Sequence, residues 1–256
     1  MRLSVIVITK NEAAHIGACL DSVAFADEIV VLDSGSSDAT CDIARQKGAR
    51  VESTADWPGF GPQKNRALDL ASGDWVLSID ADERVTPDLA REIQDVLRAP
   101  DAAAYRIARL SRFCGRWIRH SGWWPDHVVR LFRRDAGRFS EAPVHEHVEV
   151  SGRIGTLSSH FLHDPYASLE AFIDKINRYS TEAARSAHGR GRRTSLPGIY
   201  GHAAWTFVRH YLLRRGFLDG WQGLVLAGMA ATGSFYRYVK LYQLGKQHSA
   251  RGRDEA

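Results

Sequence analysis

Cysteine is scarce in this chain: Cys19, Cys41 and Cys114 are the three among 256 residues. They fall in no metal-ligand spacing, and an odd, sparse set argues for a reducing compartment without a disulfide framework. Long apolar runs are missing too. No uninterrupted stretch approaches the roughly 18 residues that a spanning helix needs. Residues 1–9 are too short and too mixed for a signal peptide, because Lys10-Asn11-Glu12 interrupts them. Glycine is absent where two nucleotide fingerprints would need it. After the first apolar run the chain reads Thr9-Lys10-Asn11-Glu12-Ala13-Ala14 in place of G-x-G-x-x-G, and no P-loop follows. A Rossmann dehydrogenase and a P-loop NTPase are thereby excluded, and any nucleotide is held without a glycine phosphate cradle.

Apolar residues make up 44% of the chain and charged residues 25%, so it can bury a core as one large domain or one domain plus an extension. The charge is unevenly placed. Residues 1–100 hold 10 Lys and Arg against 17 Asp and Glu, and the remainder holds 24 against 13. A basic C-terminal part suggests an anionic partner: phosphate, membrane surface or nucleic acid.

Leu3 to Thr9 reads as a buried strand, Glu28 to Asp33 as a second, and Ala49 to Ser53 as a third. A helix with Ile16, Cys19, Leu20 and Val23 on its apolar stripe separates the first two. Another, from about Ala39 to Lys47 with Gly48 as its C-cap, separates the second and third. This β-α-β-α-β order implies an α/β fold built on a mostly parallel sheet flanked by helices. A helix over Gln63–Ala71 then precedes Val76-Leu77-Ser78-Ile79, a run without alternation and so a strand covered on both faces. Asp80 and Asp82 stand where it ends, at the sheet edge that binds ligands in open α/β folds. Carboxylates this close repel unless a positive charge lies between them. Asp80-Ala81-Asp82-Glu83 therefore reads as a clamp for Mg²⁺ or Mn²⁺ on a diphosphate. The alternative is a plain strand end leading into an acidic helix start at Thr86-Pro87-Asp88.

Four stretches together carry a resemblance. They are Ser4 to Glu12, Val31 to Thr40, Gln63-Lys64-Asn65-Arg66-Ala67-Leu68, and Ile79 to Glu83. In this order over eighty residues they resemble a family 2 glycosyltransferase with the GT-A fold. The resemblance implies that Thr9, Glu12 and Asp33 line a uridine pocket, with Asn11 and Ser34 beside them. It implies that Lys64 approaches the base or the phosphates, where the commoner motif has Arg, a planar fork rather than a point charge. Asp80 and Asp82 match the family's D-x-D metal motif, and a histidine further on, here His163, would be a third metal ligand. A buried, backbone-bonded His163 is the alternative.

Ala102 to Leu110 reads as a further strand, followed by the aromatic and basic segment Phe113 to Trp124. That segment suits stacking on sugars, or packing its tryptophans onto the sheet. An inverting transfer needs a carboxylate to take the acceptor hydroxyl proton. Glu146, between His145 and His147, is the first choice, with Asp126 second and Glu141 third. Arg130 and Arg133 could meet the diphosphate or form structural ion pairs. Helices are expected over Ser168–Ala187, Ile199–Leu213 and Phe217–Leu244. The last two are apolar, aromatic and Arg-bearing, which suits an anionic membrane surface or a packed helical tail.

The expected organisation is a GT-A domain over 1–165, with a nucleotide-sugar half at 1–100 and an acceptor half at 101–165, and a basic helical extension over 166–256. The tail resembles those of bacterial lipopolysaccharide inner-core β-1,4-glucosyltransferases. The implied activity is metal-dependent, inverting transfer of a hexose, glucose from UDP-glucose, to a lipid-linked saccharide of the lipopolysaccharide inner core. The implied place is the cytoplasm, peripheral on the cytoplasmic face of the inner membrane. A second reading makes the acceptor a protein or peptide side chain. A third is a non-catalytic nucleotide- or nucleic-acid-binding protein, against which stands a carboxylate-rich edge that would repel a phosphate backbone.

Overall fold

The apolar runs of the N-terminal half lie side by side because both faces of each are covered. The computed structural model describes residues 1–141, 146–165 and 168–254, with only the backbone path over 248–254. The chain divides into two compact units, one of residues 1–110 with 125–164, the other of 111–124 with 165–256.

In the first unit, strands β1 (Leu3–Thr9), β2 (Glu28–Asp33) and β3 (Arg50–Ser53) alternate with helices α1 (Ile16–Ser22) and α2 (Thr40–Gln46). Gly48, at φ +80°, ends α2 in a conformation that glycine adopts without a Cβ penalty. Helix α3 (Phe60–Leu70) leads to β4 (Trp75–Ser78), and β5 (Glu83–Val85) leads to α4 (Pro87–Arg98). Thr86 caps α4 by accepting from the Leu89 backbone N–H, as the Thr-Pro-Asp signal predicts. The strands β6 (Ala104–Phe113), β7 (Arg116–Trp117), β8 (Asp126–Arg133), β9 (Gly137–Phe139), β10 (Val148–Val150) and β11 (Ile154–His163) follow, of which β7 and the last residues of β6 fall in the second unit.

The sheet order is β3-β2-β1-β4-β8-β6-β11-β5. The first four strands are mutually parallel, as the βαβ order requires, but β8 joins β4 antiparallel and β6 joins β8 antiparallel. The sheet is thus mixed, with its parallel character confined to the N-terminal half. Val5, Val7, Val31 and Leu77 face one core with Ile16, Leu89 and Ile93; Ile6, Val30, Leu32 and Val76 face a second with Ala67, Leu68 and Phe132. That two-sided burial is why these strands read as unbroken apolar runs.

In the second unit α5 (Leu169–Gly189) and α6 (Leu196–Val208) both pack on the long α7 (Gly220–Asp254). A π-helical turn over Arg209–Leu213 and a 3₁₀ turn over Gly216–Asp219 break the two helices expected between Ile199 and Leu244 into their observed pieces. The aromatic segment packs here: Phe113 and Ile118 are buried with Phe172 and Leu226, and Trp123 meets Phe113 and Phe172 edge-on. Among the described residues, no helix is long and apolar enough to cross a membrane.

Candidate active site

Thr9 and Asp33 are register partners at the ends of β1 and β2, so the parallel pairing alone sets them abreast. Asp33 is followed by Ser-Gly-Ser, and its carboxylate closes that turn. Oδ2 accepts from the Gly35 and Ser36 backbone N–H groups at 2.9 and 2.8 Å, and Ser36 Oγ donates to Oδ1. Asn11, at φ 56°, uses the left-handed tolerance of asparagine; its Oδ1 accepts from Ser37 N–H at 2.8 Å, and its own N–H donates to Ser36 Oγ. Glu12 N–H donates to Thr40 Oγ1, and its carboxylate lies 2.9 Å from His15 Nδ1. Ser34 Oγ accepts from Gln63, which also reaches Thr54. The β1 and β2 loops are therefore one knitted floor. Thr9 Oγ1 is buried beside it with no hydrogen-bond partner among the described residues, an arrangement that costs about 1–3 kcal/mol unless a ligand or water completes it.

Charge is concentrated at the end of β4. Lys64, 4% exposed on α3, places Nζ 3.1 Å from Asp80 Oδ1 and 3.2 Å from Glu146 Oε1. Helix α3 is docked so that this reach is possible. A Cβ at Gly61 would stand 2.0 Å from the Ser140 carbonyl oxygen, and Asn65 both donates to Phe139 O and accepts from Phe139 N–H at 2.9 Å. On the other side Arg130, from β8, donates to both Asp80 oxygens and to Glu83 Oε1 at 3.0 Å. Glu83 is fully buried; its Oε2 accepts from Asp80 N–H at 3.0 Å, and Arg109 approaches its Oε1 at 3.5 Å. Arg109 in turn donates to Asp126 Oδ2 through Nε at 2.9 Å and Nη2 at 2.5 Å. Burial alone would raise the Asp80 carboxyl, but Arg130 and Lys64 hold it well below the usual carboxylate range. Burial would lower the Arg130 guanidinium, and Asp80 and Glu83 raise it instead. Cys19, whose Sγ lies 3.6 Å from the Asp80 carbonyl oxygen, is kept a neutral thiol by burial and by the Glu83 and Asp80 charges.

The positive charge that the paired carboxylates require is thus supplied to Asp80 by the protein itself. Asp82 turns elsewhere: His163 Nε2 lies 3.6 Å from its Oδ2, and its carbonyl oxygen accepts from Asp164 N–H. Among the described residues no three His, Cys, Asp or Glu side chains gather as a metal cage. A hard divalent cation needs only one or two carboxylates when substrate phosphates supply the remaining oxygens. Asp82 with His163 fits that partial donor set, and Asp80, whose oxygens already meet Lys64 and Arg130, stands two residues from Asp82.

Of the residues singled out from sequence, the fold brings Lys64, Asp80 and Glu146 together, sets Thr9, Asn11, Glu12, Asp33 and Ser34 on the adjoining loops, and pairs Asp82 with His163. Glu146 sits across Lys64 from Asp80, not on a side remote from it. Asp126 joins the same network through Arg109 and Glu83. Of the two histidines flanking Glu146, either of which could orient its carboxylate, His145 lies outside the described residues and His147 Nδ1 lies 3.2 Å from Ser140 Oγ. The sequence names Glu83 only as the last residue of the Asp80-Ala81-Asp82-Glu83 clamp and gives no role to Arg109. Glu83 instead opens β5 and pairs its carboxylate with Arg130 and Arg109; its spacing of three from Asp80 was the one available signal.

Residues 4–159 match the family model described as glycosyl transferase family 2. The chain is 30% identical over 253 residues to the lipopolysaccharide core biosynthesis glycosyltransferase LpsC of Rhizobium meliloti strain 1021, covering 94% of this chain and 92% of that protein. It is 30% identical over 273 residues to an uncharacterized glycosyltransferase of Rickettsia felis, covering 100% of this chain and 95% of the relative. The crystal structure of S. aureus TarS 1-349 shares the fold, with a TM-score of 0.50 at 19% identity over 97% of this chain and 92% of that one. With the mixed sheet, the acid-ended parallel strands and a family match across most of the first unit, this chain belongs to glycosyl transferase family 2 and is a glycosyltransferase of GT-A fold.

Proposed function

We propose that the chain transfers a hexose, glucose from UDP-glucose, with inversion to a lipid-linked saccharide of the lipopolysaccharide inner core. The observation that carries the reading is Lys64 held between Asp80 and Glu146, a buried cation joining the strand-end carboxylate to a candidate base. Complexes of TarS with UDP and with UDP-GlcNAc support a uridine diphosphate donor, and the name of the LpsC relative supports a lipopolysaccharide core acceptor.

In this reading Thr9 Oγ1 and Asp33 meet the uracil, with Asn11, Glu12 and Ser34 shaping the wall. Lys64 and Arg130 are the cations that meet the diphosphate, releasing Asp80 from part of its pairing as they do so. A Mg²⁺ or Mn²⁺ ion held by Asp82 and His163, with Asp80, supplies charge stabilisation to the departing diphosphate when bound. Glu146 accepts the proton of the acceptor hydroxyl as its oxygen attacks the anomeric carbon; Asp126, fixed by Arg109, is the second candidate.

The acceptor's lipid brings the enzyme to an anionic membrane surface on the cytoplasmic face of the inner membrane. In support, Leu196, Tyr200, Trp205, Leu212, Leu213 and Trp221 are all exposed, and α6 fully buries Ile199 alone. A helix apolar all round demands a cover, and interfacial burial provides one without spanning.

The test is UDP release across UDP-, GDP- and dTDP-sugars, with and without Mn²⁺, in the presence of core oligosaccharide or a peptide. UDP-glucose turnover that needs the oligosaccharide supports the proposal. Turnover on the peptide instead moves the acceptor to protein. No turnover, with nucleic-acid binding that falls steeply with salt, would reject the enzyme reading of the acceptor half altogether.

A further inference from the structure

The helical unit contains a groove of about 540 Å³ between α5, α6 and α7, inside the ~300–1,000 Å³ range of small-molecule sites. Its lining is largely apolar: Trp123, Phe172, Ile176, Leu226 and Met229 face it, with Ala183, Ala230 and Gly233 among them. Methionine and small residues on facing helices make such a wall adaptable to a flexible chain.

One end is cationic, and among the described residues no carboxylate pairs with it. Arg237 lines the groove, and its Nε is buried with no hydrogen-bond partner among the described residues. Among the described residues Lys240, one turn along α7, donates to neutral oxygens alone: Asn177 O at 2.9 Å, Asn177 Oδ1 and Ser180 Oγ at 2.7 Å, and Thr181 Oγ1 at 2.8 Å. Ser180 is itself a groove residue, which ties this ammonium to the same end. Burial lowers the Lys240 ammonium from its ordinary value, consistent with a cation that no carboxylate compensates. The acidic residues of α5, Glu170, Asp174 and Glu182, are exposed, and the chain beyond them has few more. Between Glu182 and Asp254 the one acidic residue is Asp219, against twelve Lys and Arg. Asp219 is already committed: its carboxylate accepts from the backbone N–H groups of Arg119 and His120 and from Ser121 Oγ.

An apolar slot that ends at two uncompensated cations is complementary to an amphiphile of opposite charge. We propose that this groove binds one hydrocarbon chain of an anionic membrane lipid, with the chain along Ile176, Leu226 and Met229 and the phosphate on Arg237 and Lys240. The site lies wholly within the helical unit and does not depend on the glycosyl-transfer reading.

The probe is dodecyl phosphate, titrated by calorimetry into the full chain below its aggregation concentration, with dodecyl maltoside and inorganic phosphate as controls. One saturable site is expected for dodecyl phosphate, with inorganic phosphate showing none. Ala230→Phe, which fills the groove, should remove that site while leaving the thermal transition in place. Arg237→Gln should weaken dodecyl phosphate at least about tenfold, to the level of dodecyl maltoside, since it removes a charge-assisted contact. Vesicles of phosphatidylglycerol should displace the probe and vesicles of phosphatidylcholine should not. Absence of a saturable site, unchanged affinity in a folded Ala230→Phe protein, or displacement by neither vesicle would overturn the proposal. Should Ala230→Phe not fold, a brominated dodecyl phosphate serves instead. It should quench wild-type fluorescence, and most of that quenching should vanish in Trp123→Phe; equal quenching in both proteins would overturn the assignment.

Discussion

Lys64 is the residue whose surroundings decide what the site can do. Its ammonium is shared by two carboxylates 66 residues apart in the chain, and Arg130 supplies the second cation to Asp80. Glu146→Gln keeps shape and removes basicity, so kcat should fall by about 10²–10⁴-fold while UDP binding persists. If turnover stays near normal there and is lost in Asp126→Asn, the base is Asp126. Glu83 is a different matter. It is fully buried between two guanidinium groups, and Glu83→Gln leaves Arg130 and Arg109 short of charge. Breaking such a buried set costs about 3–5 kcal/mol, to be read from urea melts. The Asp80 pairing also carries a pH signature. The folded carboxyl titrates below its unfolded value of about 3.9. The stability it contributes is therefore present above that unfolded value and is lost as pH falls through the lower folded one. The gap in melting temperature between wild type and Asp80→Asn should hold steady from neutral pH down to about 5 and close only in stronger acid.

At the scale of elements, the docking of α3 against β9 sets the geometry of the site. Gly61 has no room for a side chain, and Asn65 fixes the helix to the Phe139 peptide groups. Gly61→Ala must push α3 away from Ser140, which separates Lys64 from Glu146. The expected outcome is a lower kcat together with a lower melting temperature, although residue 61 is no chemical participant; unchanged kinetics would show that the Lys64 position is not set by this contact. None of this was legible from local pattern. The sequence starts this helix at Gln63, after Pro58, Gly59, Gly61 and Pro62, whereas α3 begins at Phe60 with Pro62 in its first turn, a place where proline is tolerated. The strands were legible because burial on both faces leaves continuous apolar runs, and α2 and α4 because Gly48 and Thr86 mark their ends.

For the whole molecule, charge and exposed apolar surface are segregated along the chain. The C-terminal helices carry exposed aromatic and aliphatic side chains, and residues 169–254 hold fourteen Lys and Arg against five Asp and Glu. Co-sedimentation with vesicles should therefore require anionic lipid and should weaken as salt is raised, because interfacial burial and headgroup attraction act together. Equal absence of binding to neutral and anionic vesicles would leave the helices as packed extensions of the fold.

The sequence by itself determined the strand ends. Thr9, Asp33 and Asp80 each follow an apolar run, and hydrophobic patterning is a local property that can be read along the chain. It also determined the family, because the matching motifs are contiguous. Only the tertiary structure decided how the carboxylates are used. Asp80 and Asp82, two residues apart, face different partners: Arg130 and Lys64 for the first, His163 for the second. Asp126 is held by Arg109 because these two are register partners across β6 and β8, and Arg130 reaches Asp80 because β8 lies beside β4. Periodicity fixes which face a residue occupies. It does not specify which strand becomes its neighbour, and Coulombic pairing depends on that distance through space.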